Sequence, residues 1–239
     1  MSSKTLGIVG GMGPLATAML FEKVATLTRV SKDQDHIRVL IDSNPGIPDR
    51  TAHIVAGGED PRPELTATAT HLEAMGADFL IMPCNTAHYF YEDITKGLSI
   101  PFLHMVNETA AYIGTHYPDT RHVGVLATEG TCKAGVYTKA LSTNGLTPLM
   151  PDPAMQQHVT DLIYGIKAGE TVPIDGFMEA VAALKAQGAT CFVLGCTELS
   201  VAQKLYGFSG PFVDPLTVIA EAAIRFAGKH TISAGDKMK

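Results

Sequence analysis

Ala74-Met-Gly-Ala-Asp-Phe-Leu-Ile-Met-Pro-Cys84 and Ala186-Gln-Gly-Ala-Thr-Cys-Phe-Val-Leu-Gly-Cys196 are two passages of one pattern. Each has an Ala-x-Gly-Ala turn, then a short apolar run, then a cysteine, at an offset of 112 residues (196 − 84). An apolar run this short, bounded by turn residues, reads as a strand. Outward from the first passage, the pattern predicts a helix from Pro63 to Met75 and a strand from Phe79 to Met82. Further upstream it predicts a strand Thr5 to Val9, a helix Pro14 to Val30 with Pro14 in the first turn, and a strand Ile37 to Asp42. Ser43 to Arg50 is a loop, because Pro45 and Pro48 lack donors and Gly46 invites a turn. Around the second passage lie a strand His122 to Ala127, helices Thr131 to Asn144, Pro153 to Lys167 and Asp175 to Gln187, and a strand Cys191 to Leu194. The spacing of Gly7 to Gly13 recurs in Gly124 to Gly130, each opening on a strand.

Two such matches in the same order imply a duplicated topology. Strands alternating with helices imply parallel sheets. The expected fold is therefore α/β: two pseudo-symmetric lobes, each with a mainly parallel sheet flanked by helices, and a cleft between them. The expected division is 1–105 for the first lobe and 106–214 for the second, with the last helix, Pro215 to Ala227, crossing back to the first lobe and 228–239 a frayed tail.

Composition narrows the function classes. The 239 residues, 46% hydrophobic and 18% charged, describe an ordinary globular protein with ample apolar material for a core. No apolar run approaches the roughly 18 to 20 residues that span a bilayer, and Met1-Ser2-Ser3-Lys4 leads into a strand without a cleavable secretory pattern, so a cytoplasmic protein without a membrane role is expected. A net charge of −6 with scattered Lys and Arg argues against a nucleic-acid partner, and means that an anionic small molecule needs a local cationic clamp. The four cysteines form neither a CxxC pair nor a disulfide scaffold. The nine histidines make no compact metal pattern, the turn Gly10-Gly-Met-Gly-Pro14 fits neither phosphate-loop spacing, and no lysine stands in a Schiff-base setting; no metal and no cofactor are expected.

In open α/β sheets, ligands bind beyond the carboxyl ends of the strands, and Cys84 and Cys196 stand at two such ends. Facing lobes would present one thiol to each side of the cleft. That arrangement suits removal of a proton from one face of a carbon and its return to the other. Donors lower a thiol pKa from its ordinary value of about 8.5, so that one member can be thiolate while its partner stays protonated. Asn85, Thr86 and Thr197 supply donors beside the sulfurs, able also to hold a substrate α-carboxylate. Cys132, at a helix start, and Cys191, inside an apolar strand, read as packing residues. His88, four residues after Cys84, reads as helix-face packing before it reads as a group tuning the thiol.

Gly10-Gly-Met-Gly-Pro14, Asn44-Pro-Gly-Ile-Pro-Asp-Arg-Thr51, Pro83-Cys-Asn-Thr-Ala-His88, Gly124-Val-Leu-Ala-Thr-Glu-Gly-Thr131 and Gly195-Cys-Thr-Glu-Leu199 together resemble the aspartate/glutamate racemase family over about residues 5 to 227. The resemblance implies a pyridoxal-independent racemase, usually a homodimer, acting on an acidic amino acid, with Cys84 and Cys196 as the two catalytic thiols. It implies substrate contacts from Met12, Arg50, Asn85, Thr86, Thr128, Thr131, Lys167, Thr197 and Glu198, with Arg50 and Lys167 on the side-chain carboxylate. Glu198 stands where glutamate-specific relatives carry His; this favours aspartate and suits the substrate ammonium. A non-catalytic acidic amino-acid binding protein and another isomerase of the superfamily, such as a maleate isomerase, are the competing readings.

Overall fold

The computed structural model describes residues 4–232. The chain opens with β1 (Leu6–Gly10), α1 (Pro14–Leu27), β2 (Val39–Ser43), α2 (Arg50–Ala56), α3 (Arg62–Ala74) and β3 (Phe79–Ile81), then α4 (Tyr91–Thr95) and α5 (Met105–His116). It continues through β4 (His122–Ala127), α6 (Glu129–Lys133), α7 (Val136–Thr143), β5 (Thr147–Leu149), α8 (Pro153–Lys167) and α9 (Asp175–Ala186). β6 (Cys191–Gly195), α10 (Thr197–Tyr206), β7 (Phe212–Val213) and α11 (Pro215–Phe226) complete it.

Two parallel sheets result, ordered β2-β1-β3 and β5-β4-β6-β7. Their registers correspond: Leu6 stands opposite Phe79, as Val123 stands opposite Cys191. Leu80 bridges Phe102 in parallel, as Phe192 pairs with Phe212, so a one-residue strand occupies the place that β7 fills in the second sheet. Side-chain alternation gives each sheet two buried faces. Leu6, Ile8, Phe79 and Ile81 join a central core with Leu126, Phe192 and Leu194 of the second sheet, while Val9, Leu80 and Met82 face α3 and its neighbours. Val123, Val125 and Val193 pack on the far side against Val106, Ala110 and Ile113 of α5.

The two helices that follow the edge strands tie the lobes together. α5 leaves the first lobe and packs on the second, and α11 returns from the second to cover α1, with Leu216, Ile219 and Ala223 in the central core. Lys23 on α1 pairs with Asp214, the N-cap of α11, at 3.1 Å. Beyond α11 the chain runs back along the end of α1, with Thr231 bridging Thr28 and Ile232 N donating to Leu27 O at 2.8 Å. Residues 1–3 and 233–239, the latter most of the expected tail, lie outside the described residues.

The strands and longer helices lie within a few residues of the sequence expectation, but two readings need correction. The span Thr131 to Asn144 is two helices rather than one, because Gly135 between α6 and α7 takes a left-handed φ of 63°. Arg50 is the first residue of α2 rather than the end of a loop: Asp49 caps it by accepting from Ala52 N at 2.7 Å. α5, α10 and the short strands β5 and β7 had no counterpart in the sequence pattern. Among the described residues no helix is long and apolar enough to cross a membrane.

Candidate active site

The carboxyl ends of β1, β3, β4 and β6 converge on one cleft. Met12 reaches it from the β1–α1 turn, Asp49, Arg50 and Thr51 from the start of α2, and Cys84, Asn85 and Thr86 from the segment after β3. Thr128 follows β4, Lys167 ends α8, and Cys196, Thr197 and Glu198 follow β6. Thr131 stands one step behind this lining, Cys132 and Cys191 lie outside it, and Asp49 and Thr51 join it beyond the residues to which the sequence points. The free space is about 10 Å³, enough for about one water molecule.

Close backbone approach shapes these walls. A Cβ on Gly11, whose φ is 95°, would lie 2.3 Å from the Asn44 backbone, so only glycine lets the β1–α1 turn rest on the end of β2. A Cβ on Gly130 would lie 2.7 Å from Thr51 Oγ1; α2 of the first lobe thereby packs directly on α6 of the second. Behind the cleft, Thr86, Thr128 and Thr131 form a buried ring of hydroxyls 2.8 to 3.1 Å apart, and Thr51 joins Thr128 at 3.4 Å.

The two thiols have unlike surroundings. Cys196 is the N-cap of α10, and its S–H donates to Glu198 Oε2 at 2.9 Å, with Thr197 Oγ1 donating to the same oxygen at 3.3 Å. Burial pushes the Cys196 pKa well up and the Glu198 charge adds to this, against a smaller opposing effect of Lys167. The donors beside this sulfur therefore do not leave it a ready thiolate. Cys84 is braced through its backbone: its carbonyl accepts from His88 Nδ1 at 2.7 Å, and His88 Nε2 accepts from Met105 N at 3.1 Å. Those partners fix the neutral tautomer. Burial, reinforced by nearby His104, holds the His88 pKa down at about 3. His88 is thus a strut between the thiol loop and the start of α5, with no bond to the sulfur itself. Cys132 lies 3.7 Å from Gln156 Oε1, and burial pushes it and Cys191 up to about 11.

The cationic groups are unevenly satisfied. Arg50 is buried; its Nη1 donates to the carbonyls of Ile47 and Pro48 at 3.1 and 2.9 Å, but its Nε has no partner. Asn85 Nδ2 is likewise buried and unpartnered, while Asn85 Oδ1 accepts from the Tyr137 hydroxyl at 2.6 Å. Among the described residues no carboxylate pairs with Arg50 or Lys167. Lys167 is largely exposed at the rim. Loss of hydration works against its charge, yet the nearby Cys196, Glu198 and Cys84 raise its pKa overall. A cleft with two thiols and two cations that no carboxylate pairs with, where Arg50 Nε and Asn85 Nδ2 lack acceptors, is electrostatically complementary to a carboxylate-bearing ligand.

His88, read from the sequence as packing or as a group tuning the thiol, is a buried strut on the thiol loop, and Tyr137 escaped the sequence reading because the fold alone brings Asn85 to it. Asp49 carried a legible signal, an N-cap residue after a proline, which would have started a helix at Arg50.

Comparison with known proteins identifies the family. The pattern of the Asp/Glu/hydantoin racemase family matches residues 9–223. The chain is 31% identical over 226 residues to the broad specificity amino-acid racemase RacX of Bacillus subtilis, covering 92% of this chain and 96% of that protein. Picrophilus torridus aspartate racemase superposes with a TM-score of 0.80 at 30% identity, covering 96% of both chains. Glutamate racemase of Francisella tularensis, solved with D-glutamate, shares the fold at a TM-score of 0.64 and 15% identity, over 95% of this chain and 81% of that one.

Proposed function

The chain belongs to the Asp/Glu/hydantoin racemase family, and on that premise we propose that it interconverts L- and D-aspartate by proton transfer at Cα between Cys84 and Cys196. The observation that carries this reading is the convergence of two thiols from equivalent strand ends on a cleft that also holds Arg50, Lys167 and two buried donor groups without partners, Arg50 Nε and Asn85 Nδ2. One sulfur, as thiolate, takes the α-proton; the electron pair left behind is shared with the α-carboxylate; the opposite thiol returns a proton to the other face. Asn85 and the threonine hydroxyls receive the α-carboxylate. Arg50 and Lys167 receive the side-chain carboxylate, Arg50 through its planar fork and Lys167 as a mobile point charge.

Glu198 has two parts in this scheme. In the empty cleft it holds Cys196 as a thiol, which makes Cys196 the resting proton donor. When substrate enters, its ammonium offers Glu198 a cationic partner. RacX is named for broad specificity, so the substrate range is a separate question. Two cations facing one small cleft favour a dicarboxylic substrate over a neutral one.

The test is incubation of the purified protein with L-aspartate, without added pyridoxal phosphate, followed by chiral chromatography. Approach to equal amounts of the two enantiomers is expected. Folded protein that binds aspartate but yields no D-isomer would leave a binding protein instead. Neutral amino acids racemised as efficiently as aspartate would remove the selectivity assigned to Arg50 and Lys167 while leaving the thiol chemistry in place.

A further inference from the structure

The Tyr137 side chain is fully buried on α7 of the second lobe, yet its hydroxyl crosses to the first lobe and donates to Asn85 Oδ1 at 2.6 Å. Its ring lies against the other thiol loop as well, since a Cβ on Gly195 would come within 3.3 Å of Tyr137 Cε2. One side chain thus bonds to the residue after Cys84 and lies beside the residue before Cys196. The consequence falls on the Asn85 amide. An amide presents oxygen on one side and nitrogen on the other, and here the phenol donates to the oxygen, which favours the orientation that turns the nitrogen away from Tyr137. With Oδ1 held by Tyr137, the unpartnered Nδ2 is the group left to the cleft, where Asn85 is part of the wall. A buried N–H pair with no acceptor is costly unless a ligand supplies one.

We infer that Tyr137 is a positioning residue for substrate recognition: it aims the Asn85 amide nitrogen at the α-carboxylate and prevents the oxygen from facing that charge. This rests on the reading of the cleft as a site for a dicarboxylic amino acid. Without the hydroxyl, the amide is free to turn its oxygen toward the ligand, replacing an attraction by a repulsion at one of the two carboxylates only.

Two probes separate that effect from a general loss of structure. Succinate is aspartate without its ammonium and keeps both carboxylates; β-alanine lacks the α-carboxylate and keeps the other two groups. Binding of each to wild type, Tyr137→Phe, Asn85→Ala and the double variant is measured by calorimetry. Tyr137→Phe is expected to weaken succinate by about tenfold or more, the usual range for a hydrogen bond to a charged group, and to leave β-alanine within about twofold. In the Asn85→Ala background the tyrosine substitution should add nothing, because its whole effect passes through that amide. Equal weakening of both probes, or additive effects in the double variant, would overturn the inference, as would a wild type that binds neither probe. A wild type that shows the expected binding pattern but fails to racemise aspartate would sink the catalytic reading and leave this one standing.

Discussion

A serine in place of Cys84 or Cys196 keeps nearly the same shape but removes an acid whose strength can be matched to the task. Each substitution should lower racemisation by roughly 10² to 10⁴-fold, the usual contribution of a positioned acid or base. The remaining thiol can still exchange the α-proton on its own face. NMR of aspartate in deuterated water should therefore show washout from one enantiomer in Cys84→Ser and from the other in Cys196→Ser; near-normal racemisation in either would remove that sulfur from the mechanism. Arg50→Ala should cost about 2 to 5 kcal/mol in kcat/KM for aspartate, the range for losing one partner of a buried charge pair, with Arg50→Lys also poor because the fork is gone. An unchanged kcat/KM would show that the orphan Nε serves no substrate group. The thiols were legible in the sequence because they close the same repeat twice, and Arg50 only through the family resemblance of the Asn44 to Thr51 motif. The Cys196–Glu198 bond was not, since two residues apart in sequence says nothing of where a carboxylate points at a helix start.

At the level of elements, His88 couples the thiol loop to α5, and that coupling is sensitive to acid. Its pKa is lowered on folding from an ordinary 6.5 to about 3, mainly by burial. The neutral ring therefore contributes stability that is fully present above about pH 6.5 and is lost as pH falls toward 3. The slope is up to about 1.4 kcal/mol per pH unit for one such group. His104, held down at about 4 by burial, adds to the same slope. Urea midpoints measured from pH 7 to pH 4 should fall steadily, and His88→Gln, while less stable at pH 7, should show a shallower decline; parallel curves would mean that His88 carries none of it. The elements themselves were visible where apolar runs met turn residues, as at β4 and α8. They were invisible where a cap or crossing geometry decided: α2 depends on Asp49, and α5 on the second lobe that receives its apolar face.

Taken whole, the cleft between the lobes is narrow and lined by both of them, so substrate entry should widen it. The segment after β3 is held to the second lobe by buried hydrogen bonds from Tyr137 and the threonine ring and to α5 by His88, whereas α2, though it packs on α6, adds a single long hydrogen bond across the cleft, Thr51–Thr128 at 3.4 Å. Opening should therefore move α2, and Arg50 with it. Hydrogen exchange followed by mass spectrometry should show α2 amides slowed by saturating succinate, with those of Cys84 to His88 slow in both states; equal protection of the two segments would exclude this hinge. The sequence displayed the duplication but not its inequality, and the inequality has a thermodynamic limit. Mirror-image substrates have the same free energy in water, so their equilibrium constant is one, and the ratio of kcat/KM for the two directions is one as well. However differently Glu198 and His88 dress the two sulfurs, they cannot make the enzyme a better catalyst for one hand at low concentration. They can only divide the same barrier unequally between binding and turnover, so that one enantiomer is held more tightly and released more slowly than its reflection.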